Sequence, residues 1–210
     1  MTRRGAMLQL RGQPVAELRR TCEVLDEAGC DTIFIDENFT SCAAAAALTR
    51  RARVCCLTTS RDVTAVTDAA ETLDYLSDGR FVLGVGPLPA DEGPYSGVAA
   101  AERLIEEVLD RVNGLPVLVA SGGHGPPRLA AELAEAWLTT GRPNQVRDGM
   151  TEVRRWCAEL RRTSPLGVIV LRQKGAVSSD YPDADEVVTP LTMSLSSVEA
   201  ATAWLGAVTA

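Results

Sequence analysis

Glu71–Gly86, ETLDYLSDGRFVLGVG, is the stretch that decides the fold. Val66, Ala70, Leu73 and Leu76 recur at helical spacing, Ser77-Asp78-Gly79 makes a tight turn, and Phe81-Val82-Leu83 is a wholly apolar strand running into Gly84-Val85-Gly86-Pro87. A strand without polar alternation, delivered by a helix, predicts a parallel sheet covered on both faces. Gly84 and Gly86 stand at its C-terminal end, where α/β folds bind ligands, and are candidate binding positions.

The same alternation extends in both directions. Apolar strands are predicted at 6–10, 31–37, 53–59, 117–120, 136–140, 166–171 and 186–190, with helices at 14–28, 41–50, 98–112, 128–135, 146–162 and 196–208. Eight strands alternating with about eight helices predict a compact (β/α)8 TIM barrel, with an open doubly wound sheet as the alternative. No repeat or linker divides the chain, so 1–210 reads as one domain with a short connection, residues 87–115, between the fourth and fifth strands.

A net charge of −7 and the absence of a basic, aromatic-interleaved stripe argue against a nucleic-acid surface. The five-alanine run 43–47 is too short to span a bilayer and no long apolar core follows Arg3 and Arg4, which predicts a cytoplasmic protein without a membrane partner. Six cysteines form no CxxC pair and the single histidine, His124, is remote from them, so no metal site is expected. Cys22, Cys55 and Cys157 read as packing residues, Cys30 and Cys42 as the exposed ones. Trp137, Trp156 and Trp204 fall on core positions.

In a barrel the strand C-termini converge on one pocket. They supply Asp36, Glu37 and Asn38; Thr58, Thr59 and Ser60; Gly84 and Gly86; Ser121 through Gly125; and Thr139 and Thr140. Asp36 and Glu37 are adjacent and point to opposite sides, so at most one of these candidate acid–base groups faces the pocket. Ser121-Gly122-Gly123-His124-Gly125 opens a helix whose first turn holds Arg128. Exposed amides, the helix dipole and that arginine together suit a phosphate, unless the glycines only make a sharp turn. His124 is placed either to protonate a substrate or to cap this loop.

LDYLSDGRFVLGVGP resembles the "LdeLSgGRfvLGvGpG" segment of the luciferase-like flavin- and deazaflavin-dependent oxidoreductases, and PVLVASGGHGPPRLAAELAEAWL (116–138) resembles their "PvyvAasGPr…lAaelADGwl". The resemblance implies coenzyme F420, or alternatively FMN, with Ala120, Ser121, Gly122 and Gly123 against the cofactor phosphate. It further implies Thr59-Ser60 behind the ring, where many members have a non-prolyl cis peptide. A small-molecule substrate and a homodimer, or a heterodimer with a luciferase-like homologue, are also implied. Two departures stand out: Asn38 follows the strand-two acids where members often carry histidine, and the strand four to five connection is shortened. Both suit the alternative of a catalytically degenerate partner subunit.

Overall fold

The computed structural model describes residues 2–9, 15–36, 38–86, 96–121, 127–173, 178–192 and 195–206. Eight strands, β1(Arg3–Gln9), β2(Thr32–Asp36), β3(Arg53–Thr58), β4(Phe81–Val85), β5(Val117–Ser121), β6(Ala136–Thr140), β7(Gly167–Leu171) and β8(Glu186–Thr192), close in sequence order into a barrel. Every neighbouring pair is parallel, β8 with β1 included. The (β/α)8 prediction holds, and Ile33, Ile35, Phe81, Val82, Leu83, Val117 and Val119 are all buried as expected.

Helices α1(Val15–Glu27), α2(Phe39–Leu48), α3(Val63–Ser77), α4(Ser96–Arg111), α5(Pro127–Leu133), α6(Pro143–Glu159) and α7(Leu195–Gly206) lie between strands or after the last. Between β7 and β8 the described residues contain only the 3-10 turn Ser178–Asp180 where the eightfold pattern predicted a helix. Tyr181 is buried in the core there and donates its hydroxyl to the Gly141 carbonyl at 3.1 Å.

The deciding stretch owes its shape to three local devices. Asp78 at φ 56° and Gly79 at φ 72° reverse the chain after α3, the second at a position where glycine pays no Cβ penalty. Ser77 Oγ accepts the Arg80 amide at 3.1 Å, which fixes the exit. The Arg80 guanidinium then donates to the carbonyls of Ala46, Thr49 and Ala52 and to Thr49 Oγ1, at 2.7–3.1 Å, satisfying orphan groups at the C-terminus of α2. One arginine thus joins α2, the entry to β3 and the entry to β4.

Asp26 plays the matching part at the end of α1. Its carboxylate accepts the amides of Arg50, Arg51 and Ala52 at 3.0, 3.0 and 2.7 Å. Burial acts to raise its pKa, but these three donors and the Arg51 guanidinium outweigh burial and hold the group below the ordinary carboxylate value.

Several helix-face expectations shift. Leu76 is 54% exposed because Leu73 already closes the inner face of α3 at that turn. Cys42 is buried because it shares the inner face of α2 with Ala45 and Ala46, at helical i, i+3, i+4 spacing. Cys30 is buried as well, with its Sγ against the carbonyls of Arg4 and Thr32. Burial pushes the thiols of Cys22 and Cys30 up to about 12, so neither is a thiolate near neutral pH. Cys157 is only partly buried. In α2, Ala45 and Ala46 are buried and Ala43 and Ala44 pack on the same core, so most of the alanine run serves close approach within the chain.

Candidate active site

Alternate residues of each strand divide into two cores. Residues such as Ile33, Val54, Phe81, Val117 and Val170 pack outward against the helices. Met7, Phe34, Cys55, Leu57, Val82, Leu118, Leu138, Ile169 and Val188 pack on one another and fill the barrel lumen.

Three partly buried residues, Ala120, Ala136 and Leu171, extend this lumen cluster. Ala120 and Leu171 lie near the C-terminal ends of β5 and β7, so the lumen ends there in an apolar floor that solvent still reaches. Asp36 shares its face with Thr32 and Phe34, stands at the end of β2 and is exposed. Asp36 therefore lies on the lumen side. Thr59 is one step past β3, and a Cβ on Gly86 would lie 3.1 Å from its methyl group, so these two residues meet at the same rim. By alternation from Ala136 and Leu138, Thr140 is on the lumen side and Thr139, buried, is on the helix side.

The remaining predicted positions sort by their partners. Ser60 builds the turn into α3: its amide donates to Thr58 Oγ1 at 3.1 Å and its hydroxyl accepts the Asp62 amide at 3.2 Å. Among the described residues no peptide bond is cis, so the Thr59–Ser60 bond is trans and the strained backing implied by the resemblance is not present. Asn38 Oδ1 accepts the Ser41 amide at 2.8 Å and caps α2, which gives the residue at the expected histidine position a structural role.

Gly84 is explained by packing: a Cβ there would lie 2.3 Å from Leu57 Cδ2 and 3.0 Å from Leu118 Cδ1. Arg128 turns along α5, pairing with Glu132 at 3.4 Å and lying 5.6 Å from the Trp156 ring, which Arg155 also approaches at 5.1 Å. Trp156 and Trp204 are thus half-buried surfaces for arginines, Arg172 on the second, whereas Trp137 is buried as expected. Ser121 ends β5. Glu37, Gly122, Gly123 and His124 lie outside the described residues, as does the rest of the loop to Pro126.

Sequence reasoning missed the opposite end of the barrel. There Arg53 Nη2 donates to Glu186 Oε2 at 3.0 Å and to Thr32 Oγ1 at 2.9 Å, joining β3, β8 and β2 across the floor. Among the described residues no cluster of histidine, cysteine or acidic side chains is arranged to hold a metal ion, and no helix is long and apolar enough to cross a membrane.

The C-terminal end of the lumen thus presents the partly buried side chains of Ala120 and Leu171 beside a rim that carries the Asp36 carboxylate and the Thr59 and Thr140 hydroxyls. The fold is a parallel (β/α)8 barrel, and these residues gather at the C-terminal ends of its strands. Residues 1–104 match the model of the luciferase-like monooxygenase family. Over those residues the sequence resembles that family, and the closed eight-stranded barrel is a fold shared with its solved members.

No curated protein matches the chain in sequence. Among solved structures, the coenzyme F420-dependent tetrahydromethanopterin reductase from Methanopyrus kandleri superimposes with a TM-score of 0.65 at 15% identity, over 81% of this chain and 65% of that one. The monooxygenase RslO1 from Streptomyces bottropensis gives 0.63 at 20% identity, over 83% and 73%. QR15, an aldolase, gives 0.66 at 12% identity and matches nearly end to end, over 97% and 94%. At these identities the likeness is one of fold. The chain spans just under two thirds of the length of the reductase.

Proposed function

We propose that this protein is an oxidoreductase that holds coenzyme F420, or alternatively FMN, at the C-terminal mouth of its barrel and acts there on a small or biosynthetic-intermediate substrate. The observation that carries the reading is the solvent-reached apolar floor of Ala120 and Leu171 under the Asp36 and Thr59 rim, in a chain whose first half matches the luciferase-like family. Fold neighbours that use F420 and FMN support the cofactor class. The cofactor supplies the hydride or oxygen chemistry. The chain's part is to seat the ring on Ala120 and Leu171, to present Asp36 as the acid–base group at the rim, and to meet the phosphate with the amides of Ser121, Gly122 and Gly123. Thr59 and Gly86 bound the ring's edge. His124, and Glu37 as the alternative to Asp36, complete the proposed set. A cytoplasmic homodimer, or a heterodimer with a luciferase-like homologue, is the proposed form.

The second reading, a luciferase-like partner subunit without turnover, is favoured by Asn38, which caps a helix where an imidazole base is expected, and by Arg128, which is engaged with Glu132 and Trp156. Fluorescence titration with F420 and with FMN separates the two. The oxidoreductase reading expects saturable binding of one of them, weakened at least about tenfold, or ~1.4 kcal/mol, by Gly122→Val or Gly123→Val. Absence of binding to the unmodified protein would transfer the assignment to the partner subunit.

A further inference from the structure

Glu186 opens β8 at the barrel floor, remote from the mouth, and is 1% exposed. Oε2 accepts from Arg53, whereas Oε1 has no hydrogen-bond partner among the described residues. Oε1 would be 2.8 Å from a Cβ at position 5, so Gly5 leaves the room this oxygen occupies, and the Phe34 ring and a Val188 methyl border the same spot at 2.8 and 3.0 Å. A carboxylate has acceptor sites for about four donors, and an ionised one in such apolar surroundings is poorly solvated.

We propose that Glu186 is a proton-binding site of the folded barrel, a buried carboxyl with one oxygen on Arg53 and the other unpartnered among apolar groups, which takes up a proton more readily in the folded than in the unfolded chain. The charged and titratable groups facing it are Arg53 from β3, Arg3 from β1, Asp31 before β2 and the Cys30 and Cys55 thiols, with the Thr32 hydroxyl from β2. Burial raises the Glu186 carboxyl above its ordinary 4.5, and Asp31 adds to the rise; Arg53, Thr32 and Arg3 oppose it without cancelling it. Arg53, its partner, is 32% exposed at the side chain and lines a recess with Thr32 and Phe34, so the pair lies close to the bottom face of the barrel.

The folded state therefore retains a proton at pH values where the unfolded chain has lost it. Stability is full below the ordinary glutamate value, falls as pH rises through the raised folded value, and levels off above it. Glu186→Gln keeps the shape and removes the titration. Thermal unfolding followed across pH should show the unmodified protein losing Tm with rising pH relative to Glu186→Gln, the two converging in acid. Parallel curves would overturn the proposal. Should Glu186→Gln not fold, carboxyl carbon-13 NMR of glutamate-labelled unmodified protein decides: one glutamate titrating above the others supports it, and a uniform set of midpoints overturns it.

Discussion

Gly84→Val is expected to cost about 3 kcal/mol or more, at the upper end of what overpacking a core costs. A Cβ at this position would enter within 2.3 Å of Leu57 Cδ2, 3.0 Å of Leu118 Cδ1 and 3.3 Å of Cys55 Sγ. All three are lumen residues buried at 8% exposure or less, so none has free volume to retreat into. Against a total stability of about 5–15 kcal/mol, a loss of this size lowers the urea midpoint steeply and reduces soluble yield. Gly84→Ala should lose less, and pairing it with Leu57→Ala should recover part of the loss. A midpoint unchanged by Gly84→Val would mean that the lumen is not packed by these side chains.

Arg53→Met should have an effect of similar size through a different mechanism. It removes the donor to Glu186 Oε2 and to Thr32 Oγ1, and leaves a nearly inaccessible carboxyl without its counter-ion. Breaking one side of a buried pair costs about 3–5 kcal/mol. The deficit should be largest in alkaline solution and shrink in acid as Glu186 takes up a proton. Arg53→Met combined with Glu186→Gln should regain most of it, measured as urea unfolding free energies in a double-mutant cycle. Additive losses from the two substitutions would show that the floor pair is not energetically coupled.

Much of the barrel was legible in the order of elements. Apolar runs such as Phe81-Val82-Leu83 and Ile33-Phe34-Ile35 name the strands, and Ala136–Thr140 was bounded as observed. The two sides of each strand were not legible for the same reason: a strand buried on both faces gives a continuous apolar run with no alternation to read. In sequence Gly84 consequently reads as a ligand-approach glycine, whereas its neighbours are Leu57 and Leu118. Arg53 and Glu186 each open a strand, where a charge normally reads as a solvated end, and their pairing spans 133 residues of sequence. Asn38, Ser60 and Arg128 follow strand C-termini in the chain, but their hydrogen-bond or ion-pair partners, Ser41, Thr58 with Asp62, and Glu132, follow only from the local backbone geometry. Arg80 belongs to the most recognisable motif in the chain, yet its contacts are with the end of α2, so its part here is architectural.

The central claim, that a flavin or deazaflavin ring rests on the lumen floor at the mouth, is tested most directly at Ala120. This side chain packs on the lumen cluster and remains partly exposed, so Ala120→Phe fills the mouth from the floor without entering the sealed interior. Fluorescence titration of F420 and FMN against Ala120→Phe, alongside its thermal unfolding, should show the unmodified protein's saturable binding weakened by more than about tenfold, or ~1.4 kcal/mol, at a nearly unchanged Tm. Binding by Ala120→Phe as tight as by the unmodified protein would contradict the placement of the ring on this floor.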